Sequence, residues 1–273
     1  MALPATFRAR NALLILVVGV PSVLFGQDAT PSVDPPLKSA PKEFAIDEWR
    51  IWTSPFKRQS YGSHGFKKYV VPFVLVTGAL IATDRKITQA LPNSADQIKW
   101  SGRVSQIGGV YGVAGITVST FLAGKLADDN RLKESGLLGL EALGHAQIAV
   151  FAFKEMTNRQ RPTDSDRRGG FWEGGTSFPS GHAASAFSVA TVFAYEYHDH
   201  VAVPIVAYSL ASLVAASRVS ADRHWVSDVV AGSALGFLMG RFTYKRRHGA
   251  EGHAGVVPMM TFANGGPSLS WSF

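Results

Sequence analysis

Two histidines, one carboxylate and a group of cations fall into three short stretches of this chain, and their types suit the handling of an oxyanion. The first stretch runs from Lys154 to Arg161-Pro162. The spacing of seven residues predicts nearly two helical turns, which would aim both cations from similar faces, with Pro162 stopping the helix. An arginine fork can bind two oxygens of one anion at once. The second, Gly174 to His182, predicts a helix opening at Ser180-Gly181-His182. First-turn N–H groups there point at an incoming anion, and Ser180 can cap the helix or donate its hydroxyl. The third, Ala216 to Asp228, carries Arg218, Arg223, His224 and Asp228. The spacing of four predicts His224 and Asp228 on one helical face, where the carboxylate accepts from one imidazole nitrogen and leaves the other as a nucleophile. That pairing favours His224 over His182 as the attacking group without deciding between them. Each stretch alone has a plain reading: a basic helix end, a serine-capped helix, a surface His–Asp pair. Gathered at one end of a bundle, they would hold and transfer a phosphoryl group.

The joint pattern, Lys-x6-Arg-Pro, then Pro-Ser-Gly-His, then Ser-Arg-x5-His-x3-Asp, resembles the type 2 phosphatidic acid phosphatase and vanadium haloperoxidase superfamily. All three motifs match in order over residues 154–228, with the helical arrangement extending the likeness to about 69–242. The resemblance implies that His224 attacks phosphorus to form a phosphohistidine while Asp228 orients it. It implies that His182 protonates the leaving alcohol and then activates water. Lys154, Arg161, Ser180, the Gly181 N–H and Arg218 would hold the phosphate oxygens. No cofactor is expected, because the cations already neutralise developing charge. A zinc site of His182, His224 and Asp228 is conceivable, but the neighbouring cations disfavour a dication. Arg159 and Arg223 neighbour the site, with substrate contact and a solvent-facing role both open. His145 reads as a hydrogen-bonded core histidine, and Glu141 and Asp84 as members of buried or interfacial pairs. Phe178 and Trp225 read as packing or as pocket wall.

The elements that must position these groups are helices. Six apolar stretches lie at about 69–83, 104–124, 136–153, 182–197, 201–217 and 226–242, rich in Ala, Gly, Ser and Val. Their lengths favour helix over strand, their small residues allow close packing, and their short connections favour antiparallel neighbours. The expected fold is all-α, a six-helix bundle of the phosphatidic acid phosphatase type 2 kind, with a small C-terminal β-hairpin around Asn264-Gly265-Gly266. The expected division is a signal peptide over 1–26, a proline-rich linker over 27–43, a helical phosphatase domain over 44–244 and a basic, glycine-rich tail over 245–273.

Arg8 and Arg10 before the uncharged run Ala12–Phe25 have the layout of a secretory signal. An exported protein of the cell envelope follows, either in the inner membrane with an outward-facing site or in the periplasm. The 273 residues carry a net charge of +7, which suits anionic partners such as phosphate esters or acidic headgroups. No tract interleaves basic and aromatic residues, so no nucleic-acid partner is expected. The absence of cysteine excludes disulfides and thiolate chemistry. The expected substrate is a phosphorylated lipid or another phosphate ester, with the membrane as a partner. The alternatives are a soluble periplasmic acid phosphatase of broad specificity and, less favoured, a vanadate-dependent haloperoxidase.

Overall fold

The computed structural model describes residues 40–53, 71–91, 94–164 and 168–248, together with the backbone of 257–263 and 266–272. The expected signal peptide and most of the expected linker lie outside the described residues. Among the described residues there are eight helices: α1 Ala40–Thr53, α2 Val71–Ala90, α3 Ala95–Ile107, α4 Val110–Ala127, α5 Asn130–Thr157, α6 Gly181–Glu196, α7 Ala202–Ser220 and α8 Val226–His248. Six of them follow the apolar stretches. The other two, α1 and α3, carry charges such as Asp47, Glu48, Lys99 and Arg103 among their apolar residues, so a search for apolar runs passes over them. Helix α1 begins within the expected linker, and α8 continues through the basic run Lys245–His248. The backbone of β1, Val257–Ala263, pairs antiparallel with β2, Gly266–Ser272.

The boundaries near the site have local causes. Asp129 caps α5 by accepting from the Leu132 N–H at 3.0 Å. Asn158 closes the same helix in the left-handed region (φ 43°), a conformation that asparagine tolerates better than most residues. Ser180 caps α6. That helix is rich in Ala, Ser, Val and Thr and is buried along nearly its whole length, packed against α4, α5, α7 and α8.

The closest of these contacts is with α8. A Cβ added at Gly232, Gly236 or Gly240 would lie 2.4, 2.3 and 2.3 Å from the carbonyl oxygens of Ser180, Ala184 and Ser188 respectively. Glycines every fourth residue on one helix therefore meet small residues every fourth residue on the other, and the two backbones touch. This contact fixes the opening turn of α6 against the start of α8, where the chemistry-bearing residues sit.

The outer faces are apolar. Among the described residues, three segments are long and apolar enough to cross a membrane: Ala95–Ala127 (α3 with α4), α5 and α7. Leu75, Leu122, Leu126, Phe151, Leu210 and Leu213 are all exposed on the bundle surface.

Candidate active site

The site is built around Asp228. Helix α8 begins only at Val226, so His224 precedes it rather than sharing a helical face with Asp228. Trp225 is the capping position: its carbonyl accepts from the Val229 N–H at 3.2 Å, and its own N–H donates to Asp228 Oδ2 at 2.9 Å. The carboxylate thus folds back onto the helix N-terminus, the reach-back half of a capping box. The same fold brings Oδ2 to 3.5 Å from His224 Nδ1. This is the long side of hydrogen-bond reach, and no other group partners that nitrogen among the described residues. Spacing of four does bring the pair together, but through a cap and not a helical turn.

Asp228 is fully buried and well held. Oδ1 accepts from Arg159 Nη1 at 2.6 Å, and Oδ2 accepts from the Ser177 hydroxyl as well as from Trp225. Arg159 is only 2% exposed, which closes the question of a solvent-facing role. Its guanidinium also donates to Asp84 Oδ2 at 2.8 Å, to Ser227 Oγ at 2.7 Å and to the Gly169 carbonyl at 3.2 Å. The rings of Phe171 and Trp225 lie 4.7 and 5.5 Å from its charge centre. Asp84, from α2, accepts from the Ser227 N–H at 3.0 Å and from the Ser227 hydroxyl. A buried chain Asp84–Arg159–Asp228 therefore stands behind His224. Trp225 is buried too and donates its indole N–H to the Gln160 carbonyl at 2.8 Å.

The cations come from three different places. Lys154 lies in the last turn of α5. Because Asn158 ends that helix, Arg161 sits in the following loop instead of two turns along the same face. The loop is tied back by Gln160 N–H to Gly170 O (3.0 Å) and Ser177 N–H to Arg159 O (2.8 Å). Arg161 donates to Thr176 Oγ1 at 3.2 Å. Arg218, at the end of α7, is buried, donates to Ser105 Oγ of α3, and keeps its Nε without a partner among the described residues.

Ser180 accepts from the Ala183 N–H at 3.5 Å, and its own N–H donates to the Asp228 carbonyl at 2.9 Å, binding the second motif to the third. A Cβ at Gly181 would meet Val150 and Gln147 only at 3.5 and 3.6 Å, so packing alone does not require glycine there. His182 follows, half-buried in the first turn of α6.

These groups sense one another. Burial, and then the charges of Arg218, His224, Lys154 and Arg161, push the His182 pKa down to about 4. Burial also pushes His224 down to about 4, aided by Arg218 and Arg161 and opposed by its hydrogen bond and charge interaction with Asp228. For Asp228, burial pulls the carboxyl up, but His224, Arg159 and Ser177 together hold it below the usual range. Both imidazoles are then neutral at neutral pH, and they lie within the field of Lys154, Arg161 and Arg218.

The remaining sequence candidates are less directly engaged. Arg223 is exposed, with its backbone N–H donating to the Arg218 carbonyl at 3.1 Å. His145 is buried in α5, with Nδ1 2.6 Å from Glu48 Oε1, Nε2 3.7 Å from Glu141 Oε1 and its ring stacked on Phe44 at 4.3 Å. Ser105, Ser177 and the buried role of Arg159 carry no spacing signal. Nor does Gly109, where a Cβ would come within 3.2 Å of His182 Nε2.

The PAP2 superfamily model matches residues 136–250. A lipid A 1-phosphatase from Porphyromonas gingivalis is 37% identical over 111 residues, 40% of this chain and 23% of that protein. Phosphatidylglycerophosphatase B from Bacillus subtilis is 37% identical over 112 residues, 38% of this chain and 54% of that protein. The chain thus spans about half or less of the length of the curated relatives it matches. The crystal structure of a transmembrane PAP2-type phosphatidylglycerolphosphate phosphatase from Bacillus subtilis superposes with a TM-score of 0.54 at 26% identity, over 65% of this chain and 95% of that one. Residues 136–250, which contain the whole cluster of cations and histidines, are the part of the chain that is similar to the PAP2 superfamily.

Proposed function

We propose that this chain hydrolyses phosphate monoesters or pyrophosphates of lipids through a phosphohistidine on His224, at the outward face of a membrane. The observation that carries the reading is the meeting of a neutral, carboxylate-backed imidazole with Lys154, Arg161, Arg218 and a helix N-terminus. Asp228 faces Nδ1 of His224, so Nε2 is the attacking atom. As the N–P bond forms and the P–O bond to the alcohol breaks, the leaving oxygen takes a proton from His182. In the second half-reaction His182 takes a proton from water, the water oxygen attacks phosphorus and the N–P bond breaks. The bound phosphate's own negative charge offsets the cations that depress His182, and so returns the proton-carrying form to use. Asp228 stabilises the positive charge on His224 in the intermediate.

The lipid character of the substrate rests on the names of the two curated relatives and on the apolar belt around the bundle. The outward orientation rests on the signal-like N-terminal sequence.

The test is phosphate release by the detergent-solubilised full chain, without added metal, from phosphatidate, phosphatidylglycerophosphate, a polyprenyl pyrophosphate and p-nitrophenyl phosphate. Wild type should release phosphate with a preference for one of the lipids, and His224→Ala should release none. His182→Ala should slow esters with poor leaving groups far more than p-nitrophenyl phosphate. Equal release by wild type and His224→Ala would overturn the assignment of the nucleophile.

A further inference from the structure

At the end of α6 away from His182, a second set of titratable groups converges. Glu134 lies near the start of α5, Glu196 is the last residue of α6 and His248 the last of α8. From His182 to Glu196 the chain runs fourteen residues of helix, roughly 21 Å, so the two clusters are separate. His248 Nε2 stands 3.8 Å from Glu134 Oε1 and 3.8 Å from Glu196 Oε2. Its other nitrogen, Nδ1, lies 3.1 Å from the Tyr244 carbonyl. That bond places the ring proton on Nδ1 and turns the Nε2 lone pair toward the two carboxylates. The Tyr244 ring stacks on the imidazole at 4.1 Å and fixes its plane.

Three acceptors thus face one point, with the Arg247 Nε beside Glu134 Oε1 at 4.0 Å, beyond hydrogen-bond reach. Glu196 is 7% exposed, and its Oε2 has no hydrogen-bond partner among the described residues. The charges nearby leave room for a cation. Arg131 is bound by Asp199, and Arg247 stands 4.0 Å from both Glu43 and Glu134. Asp199 holds Arg131 and Arg247 is shared between Glu43 and Glu134, so Glu134 and Glu196 stay short of cations, and burial together with the Glu134 charge pushes the Glu196 carboxyl up to about 7. The cluster of Asp47, Glu141 and His145 is different, because Asp47 already receives Arg246.

We propose that Glu134, Glu196 and His248 bind a divalent first-row metal ion, zinc being the best match to one imidazole and two carboxylates, and that the ion staples the ends of α5, α6 and α8. Ligand atoms around tetrahedral zinc lie about 3.4 Å apart, so a small inward movement of the side chains closes the shell. Glu134 and His248 are half-exposed, which gives the ion a path in and water a place as the fourth ligand. The second carboxylate oxygens and the Tyr244 carbonyl supply the outer contacts that hold the ligands in place.

The site is independent of the catalytic reading, and so is its test. The full chain in detergent, stripped with a chelator, is titrated with zinc at neutral pH by calorimetry, and its thermal midpoint is followed in parallel. One equivalent should bind and raise the midpoint. Glu196→Gln and His248→Ala should each weaken binding at least tenfold and remove the rise, while metal-free phosphate release stays at the wild-type rate. Absence of stoichiometric uptake by wild type, or equal uptake by both variants, overturns the proposal. A higher metal-free midpoint in Glu196→Gln, with no response of wild type to zinc, would make a proton the occupant and overturn it too.

Discussion

Arg159 and Asp84 show what a single residue contributes to this site without facing the substrate position. Arg159 carries one charge between two buried carboxylates, and removing it leaves both uncompensated. Breaking a buried pair in this way costs about 3–5 kcal/mol. Arg159→Met, which keeps the contact with Phe171 and Trp225, should therefore lower the thermal midpoint. It should reduce kcat more than it changes KM, because Asp228 would lose the bond that aims it at His224. A wild-type midpoint and kcat would show that the chain behind Asp228 is dispensable. The two histidines give a pH dependence with a definite sign. Their pKa values lie near 4 in the fold, against about 6.5 in an unfolded chain. Between those values the unfolded chain takes up protons that the folded chain refuses, so stability present above about pH 6.5 is lost as the pH falls toward 4. The denaturation midpoint should drop between pH 7 and pH 5, and His182→Gln should drop less. At this scale the sequence was readable where chemistry demands particular residue types close in the chain. His224 with Asp228, and Lys154 with Arg161, announce themselves. Asp84 reads as one half of a buried pair, as it is, but its partner Arg159 lies across 75 residues and nothing in local spacing records that.

Among elements, the pair α6 and α8 sets the geometry of the site. The Ser180 N–H to Asp228 carbonyl bond and the glycine contacts below it make one rigid seam. A methyl at Gly236 would come 2.3 Å from the Ala184 carbonyl, a backbone atom that cannot move aside alone. Gly236→Ala should therefore push the helices apart, at about 1–3 kcal/mol, and reduce activity by shifting Ser180 against Asp228. Gly115 on α4 is the control: nothing lies within 4 Å of an added Cβ there. Gly115→Ala should be neutral or stabilising by up to about 1 kcal/mol through helix propensity. Equal midpoints for the two variants would deny the seam its role. The apolar runs with small residues foretold that such seams exist, yet not which helices share one. The same runs gave six helices their approximate positions but missed α3, whose polar face meets Ser220 through Gln97 and Ser101. The spacing of seven likewise extended the Lys154 helix through Arg161, since the left-handed turn at Asn158 is one asparagine among many in any sequence.

For the molecule as a whole, the question is what covers its outer faces. Helix α6 is buried by protein, whereas α4 and α7 turn Leu122, Leu126, Ile205, Leu210 and Leu213 outward. Nineteen residues of α7 reach about 29 Å, close to the hydrocarbon thickness of a bilayer. Mean hydropathy over the chain is only +0.08 because the charged and polar residues elsewhere in the sequence dilute this belt. A lipid-facing belt and a water-facing one respond oppositely to charge. Arginine at the centre of a spanning helix costs about 2.5–3.5 kcal/mol on insertion, while on a wet helix surface it costs little and helps solubility. Leu210→Arg combined with Leu122→Arg should thus reduce the amount of chain that stays with membranes after alkaline carbonate extraction. A wild-type chain found in the soluble fraction, or a double variant that is as abundant and as firmly retained as wild type, would remove lipid from those faces. Retention of wild type with loss of the variant would instead place the cationic groups of Lys154, Arg161 and Arg218 at the end of a bilayer-spanning bundle. There a lipid headgroup can reach them while its chains remain among the leucines.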